Sequence, residues 1–211
     1  MKGLKNQVSQ ENKKYEKRTI IFTYIYDIIR ITRKEQNITQ KTLSHGLCKC
    51  SDLSRYETGK IKLPLIIQES LLERLGYFDS IFTNWGSRPE ANLYNIREHY
   101  YRGKNIYTNS LKSNIKEFYN KKEYAIIEQF RLLTEANKID SHPNKEKLLE
   151  AIHLTYRDFE PSKIHNLKLT KNELEILNLL ALSYLLEGDY KTGKLYLNEL
   201  ISFYKYNPFS A

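Results

Sequence analysis

Five histidines, two cysteines and 25 carboxylates are the raw material for catalysis in this 211-residue chain. Their spacing assembles none of the usual sites. His45, His99, His142, His153 and His165 are dispersed, with no Ser or Cys nucleophile in an evident setting. There is no Gly-rich phosphate loop and no H-E-x-x-H metal spacing. His45, Cys48 and Cys50 lack a fourth ligand for zinc. The two cysteines are also too close to staple a fold, and they read as small side chains in a reducing compartment. The expectation is a protein that is not an enzyme and carries no cofactor and no metal. Chemistry of another kind gathers between residues 39 and 62. Gln40, Lys41, Lys49, Ser51, Asp52, Arg55, Lys60 and Lys62 supply amide, hydroxyl, carboxylate and cationic groups within a short stretch. Such groups bond base edges and phosphates of duplex DNA.

Positioning these groups requires two short braced helices. Thr39 can cap a helix holding Leu43 and Leu47, with Gly46 near its end, and Ser51 can cap a second helix over residues 51–58 that Gly59 terminates. Leu43, Leu47, Leu53 and Tyr56 can pack inward, leaving Lys49, Ser51, Asp52 and Arg55 outward. That is the arrangement in which a helix is presented to the major groove. Upstream, Ile25, Ile28, Ile29 and Thr32 have helical spacing in a helix from Thr19 to near Asn37; downstream, Pro64 suits the first turn of a helix carrying Leu65, Ile66, Leu71, Leu72 and Leu75 up to Gly76. Beyond Pro89 only helical patterns occur, near 90–102, 108–120, 122–138, 145–157, 171–187 and 190–205, which pair into three hairpins. Residues 170–173, Thr-Lys-Asn-Glu, form a capping box, and Gly188-Asp189 makes the last turn.

Composition bounds the same picture. At 40% hydrophobic and 28% charged residues a packed core is feasible, and no apolar run approaches the roughly 18 residues of a membrane span. The first residues lack the apolar stretch of a signal peptide, so a cytoplasmic location without membrane contact is expected. The net charge of +9 is uneven: residues 1–77 hold 15 Lys/Arg against 8 Asp/Glu, and residues 78–211 hold 19 against 17. A positive N-terminal third suits an anionic partner. The reading is therefore a basic arm at 1–17, a DNA-binding domain at 18–77, a linker at 78–89 and a helical repeat domain at 90–206.

Thr39-Gln40, Leu43, Leu53-Ser54-Arg55, Glu57, Gly59 and Pro64 together resemble the Xre or lambda-repressor-like helix-turn-helix regulators. The turn at residues 46–51 is similar to that of the peptide-sensing PlcR and Rgg types of low-GC Gram-positive bacteria, which join such a domain to tetratricopeptide-like helices. The resemblance implies an all-α protein, with a four- to five-helix N-terminal domain followed by a short helical-hairpin array. It implies a transcriptional regulator acting as a homodimer, with quorum-sensing control by a signalling peptide. Arg55 would pair with guanine or hold a phosphate. Gln40, Lys49, Lys60 and Lys62 would hold phosphates, against the alternative that the lysines are plain solvated ones; Lys41 would also contact DNA, and Ser51 and Asp52 would face the groove unless Asp52 instead caps its helix. Arg33 and Glu57 would form a structural ion pair. Leu177, Leu180, Ala181, Tyr184, Gly188, Tyr190, Gly193, Leu197 and Leu200 fit the tetratricopeptide pattern. Asn178 is the one position assigned to a peptide, against the alternative of a plain surface asparagine. A different class stays open: a helical-repeat interaction scaffold or antirepressor whose first domain no longer reads DNA.

Overall fold

The computed structural model describes residues 25–78, 125–137 and 142–206. Among the described residues every regular element is helical: α1 (Ile25–Glu35), α2 (Gln40–Ser44), α3 (Cys50–Glu57), α4 (Leu65–Arg74), α5 (Ala125–Ala136), α6 (Lys145–His153), a 3-10 helix (Pro161–Asn166), α7 (Lys171–Leu186) and α8 (Tyr190–Tyr206). None of these helices is long and apolar enough to cross a membrane. The expected helices near 90–102 and 108–120, the arm at 1–17 and nearly all of the linker lie outside the described residues.

Local chemistry explains most boundaries. After α1, Asn37 takes φ 55°, a left-handed turn that asparagine tolerates better than most residues. Thr39 Oγ1 accepts from the Thr42 amide at 3.0 Å and so caps α2. Helix α3 differs from expectation. It begins at Cys50, with extended Lys49 as the capping residue and no side-chain cap bond, so neither Ser51 nor Asp52 caps it. The reason is that the Lys49 carbonyl already accepts from the amides of Asp52 and Leu53, which draws Cys50 and Ser51 into the first turn. Pro64 sits just ahead of α4 rather than inside it. The capping box of α7 is present: the Glu173 amide donates to Thr170 Oγ1 at 3.3 Å while Glu173 Oε2 accepts from the Thr170 amide at 2.6 Å.

Two apolar clusters result. Ile29, Leu43, Leu53, Ile67 and Leu71 centre the first, and Phe130, Leu148, Ile152, Leu177, Leu180, Tyr196 and Phe203 centre the second. Helix α5 packs on α6, and α7 on α8. The second pairing is tight because Gly193 leaves no room for a Cβ, which would stand 2.7 Å from the side chain of Leu185. The 3-10 helix, absent from the sequence expectation, packs on α8 and buries Ile164 in the second cluster, while α6 packs directly on α7.

The clusters are joined. Ile126 of α5 belongs to the first cluster, while Phe78 packs against the second. Arg74 Nη2 donates to Glu173 Oε1 at 2.9 Å, with both side chains fully buried. Arg74 Nη1 donates to the carbonyls of Leu43 and His45, and its guanidinium lies 5.4 Å from the ring centre of Tyr156. One arginine thus ties the turn between α2 and α3 to α7. Gly46, in that turn at φ +69°, lies so near Thr155 that a Cβ would stand 2.7 Å from the Thr155 Cα and closer still to its carbonyl oxygen.

Candidate nucleic-acid interface

Helix α3 is amphipathic. Leu53, Tyr56 and Glu57 are buried, Cys50, Ser51, Ser54 and Arg55 are exposed, and so is Thr58, which caps the end of the helix. Ser51, Ser54, Arg55 and Thr58 fall at i, i+3, i+4 and i+7, one stripe of an α-helix. Ser54, which the sequence reading passed over, belongs to this stripe, as its helical spacing from Ser51 and Thr58 would have indicated. Asp52 is half-buried in the first turn, where a carboxylate complements the helix dipole.

Three sets of contacts hold the stripe outward. Tyr56 Oη donates to Gln68 Oε1 at 2.7 Å, and Gln68 Nε2 donates to the Leu63 carbonyl at 2.6 Å, which fixes α3 against α4. Tyr26 meets the Tyr56 ring edge-on with centroids 6.1 Å apart. Arg33 grips the end of α3: its Nε and Nη2 donate to Glu57 Oε1 and Oε2 at 2.6 and 2.7 Å, and its Nη1 donates to the Ile38 carbonyl at 2.8 Å. The fork geometry is bidentate, and Glu57 holds the Arg33 guanidinium above its ordinary pKa.

Gln40 occupies a place the sequence reading assigned differently. Its Nε2 donates to Glu57 Oε2 at 2.7 Å, so one amide N–H is committed inward and only the second can meet a phosphate. The consequence is electrostatic. Glu57 is buried and saturated by three donors, so its negative charge is matched inside the fold and is withheld from the outer face. Lys41, Lys49, Arg55, Lys60 and Lys62 are all exposed, and no ion pair among the described residues engages them. Lys41 lies on α2, Lys49 just ahead of α3, Ser51, Asp52 and Arg55 on α3, and Lys60 and Lys62 in the segment after it, whereas Gln40 is turned toward Glu57.

Comparison with family models, curated proteins and solved structures gives no match.

The remaining candidates sit elsewhere. Asn178 is exposed on α7, one turn before exposed Leu182. Three of the four described histidines make packing or hydrogen-bond contacts: His45 with the Tyr156 ring, His153 Nδ1 with the Leu149 carbonyl, and His165 Nδ1 with Glu199 Oε2, while His142 is exposed. Among the described residues no three His, Cys, Asp or Glu side chains are grouped as metal ligands. Burial, with help from the charge of Asp52, pushes the Cys48 thiol up to about 11, so it is a poor nucleophile at neutral pH.

Proposed function

We propose that the chain is a sequence-specific DNA-binding regulator in which α3 enters the major groove. Arg55 and Ser51 meet base edges, and Lys41, Lys49, Lys60 and Lys62 hold the flanking phosphates. The helix-turn-helix reading of α2 and α3 and the tetratricopeptide-like reading of α7 and α8 belong to the same proposal. One observation carries it: an exposed stripe on α3 has Arg55 at its centre, exposed Lys41, Lys49, Lys60 and Lys62 have no ion pair among the described residues, and of the helix's two acids Asp52 is half-buried in the first turn while Glu57 is turned inward and bound by three donors. A solvated surface needs no such sequestration, whereas a phosphate-facing surface gains from it.

One reading helix contacts one half-site. A two-fold dimer places two such helices about 34–36 Å apart, one turn of duplex. The experiment is a gel-shift titration on a duplex selected from a random library by the wild-type protein. Arg55→Ala is expected to weaken binding by about 1–3 kcal/mol per half-site, the range for one bidentate base contact. Unchanged affinity removes Arg55 from the interface. A failure of the wild type to select any sequence favours an interaction scaffold instead.

A further inference from the structure

Where the chain leaves α3 it runs against an aromatic ring carried by α1. The exit is a Schellman turn: the Gly59 amide donates to the Tyr56 carbonyl at 2.8 Å, and the Lys60 amide donates to the Arg55 carbonyl at 2.9 Å. Gly59 has φ +70°, and a Cβ there would stand 3.2 Å from both Cζ and Oη of Tyr26. Tyr26, the second residue of α1, also meets the buried Tyr56 ring edge-on. Its ring is therefore set between the last turn of α3 and the residue at which the chain turns away.

The residues that follow alternate. Lys60 and Lys62 are exposed, Ile61 is half-buried against the first cluster, and Leu63 is buried. This is the period of extended chain, which places the two ammonium groups on one side. The Schellman bonds hold the start of the segment, and Gln68 holds its end through the Leu63 carbonyl. Tyr26 supplies the support from α1, at Gly59, one residue ahead of the first lysine. A lysine is a point charge on a flexible four-carbon stem, so where its charge can reach is set by where its backbone is held.

We infer that Tyr26 is a positioning residue of the nucleic-acid interface: its ring sets the path of residues 59–62, so that Lys60 and Lys62 reach the phosphates beside the groove that α3 enters. The inference rests on the DNA reading of α3 and adds α1 to the elements that serve it. It also divides the work. Arg55 and Ser51 distinguish one sequence from another, whereas Tyr26 acts only through lysine contacts to the backbone, which carry no sequence information. The contacts to Gly59 and Tyr56 are made by the ring, so the ring and not the hydroxyl performs this role.

Fluorescence anisotropy of the full chain on a selected and a random duplex, over a range of salt, separates the two kinds of residue. Tyr26→Ala is expected to reduce the slope of log affinity against log salt by about 1 to 2, the share of two lysine–phosphate contacts, while the ratio of affinities for the two duplexes stays near its wild-type value. A variant that merely folded less well would bind less at every salt and keep its slope. Tyr26→Phe, which retains the ring, is expected to keep the wild-type slope. Gly59→Ala, whose methyl would press on the Tyr26 ring, is expected to reduce the slope as Tyr26→Ala does, and the two together should reduce it no further than either alone. An unchanged slope in Tyr26→Ala, or a loss of selectivity equal to that of Arg55→Ala, overturns the proposal. A slope in Tyr26→Phe as low as that of Tyr26→Ala also overturns it, because the hydroxyl would then be the active group. Each of these results leaves the DNA reading standing as long as Arg55→Ala removes the preference for the selected duplex. A wild type that prefers no duplex sinks the DNA reading, and this inference with it.

Discussion

Replacing Glu173 by Gln tests the joint between the two clusters at its most sensitive atom. Glu173 Oε1 accepts from Arg74 Nη2 at 2.9 Å, and Oε2 accepts from the Thr170 amide at 2.6 Å. Both oxygens serve as acceptors in a place sealed from water. A glutamine keeps the shape but offers one acceptor and one donor, so one of the two facing N–H groups loses its bond. The larger effect is that the Arg74 guanidinium stays buried without its counter-charge. Breaking one half of a buried pair costs about 3–5 kcal/mol, a large part of the roughly 5–15 kcal/mol that holds a domain folded. At a slope of about 2 kcal/mol/M the urea midpoint should fall by about 2 M. Removing both charges, as in Arg74→Met with Glu173→Met, should cost less than the sum of the single changes, because no orphaned charge remains. It should still cost about 1–2 kcal/mol, since the Leu43 and His45 carbonyls lose the donor that Arg74 gives them. A Glu173→Gln cost below about 1 kcal/mol, or strict additivity in the double variant, would refute the reasoning.

Arg33→Lys should destabilise by about 1.5–3 kcal/mol in the same urea assay, because an ammonium cannot reproduce the bidentate bond to Glu57 together with the bond to Ile38; a neutral result would count against the Arg33 grip. Gly46→Ala should cost at least about 1 kcal/mol more than Gly188→Ala. Both glycines have positive φ, but only Gly46 faces backbone where a Cβ would go, and equal costs would mean that the Thr155 contact is not maintained in solution. Labelling by an alkylating reagent at pH 8 should show two thiols of unequal rate, with exposed Cys50 the faster. The rate at Cys48 should climb about tenfold per pH unit until pH nears its raised value of about 11, since the thiolate is the reacting form; equal rates would contradict its burial.

The local signals were legible because each depended on near neighbours in sequence. Thr39 caps α2 and Thr170 caps α7 through bonds closed within three residues, and the inward set Leu43, Leu47, Leu53 and Tyr56 follows from helical spacing. The Arg33–Glu57 pair came from the family resemblance, and its two bonds at 2.6 and 2.7 Å have the expected fork geometry. What stayed hidden depended on partners far apart in the chain. Nothing near Arg74 announces that Glu173, 99 residues later, both caps a helix and neutralises it. Gln40 was assigned outward by its position at a helix start, and only the placement of Glu57, 17 residues on, turns its amide inward. Ser51 was expected as a cap by residue type, yet the Lys49 carbonyl had already closed the first turn. Tyr26 was passed over for the same reason, since only the fold sets its ring against Gly59 and Tyr56.

The most direct test of the central claim is fluorescence anisotropy of a duplex selected by the wild-type protein, set against a random duplex, over a range of salt concentrations. If the four proposed lysines each hold a phosphate, the slope of log affinity against log salt should be about −3 to −4 per half-site, with the selected duplex bound more tightly at every salt. Arg55→Ala should remove the preference for the selected duplex while leaving most of the salt slope. Equal affinity of the wild type for both duplexes, or binding indifferent to salt, would contradict the claim that α3 reads DNA.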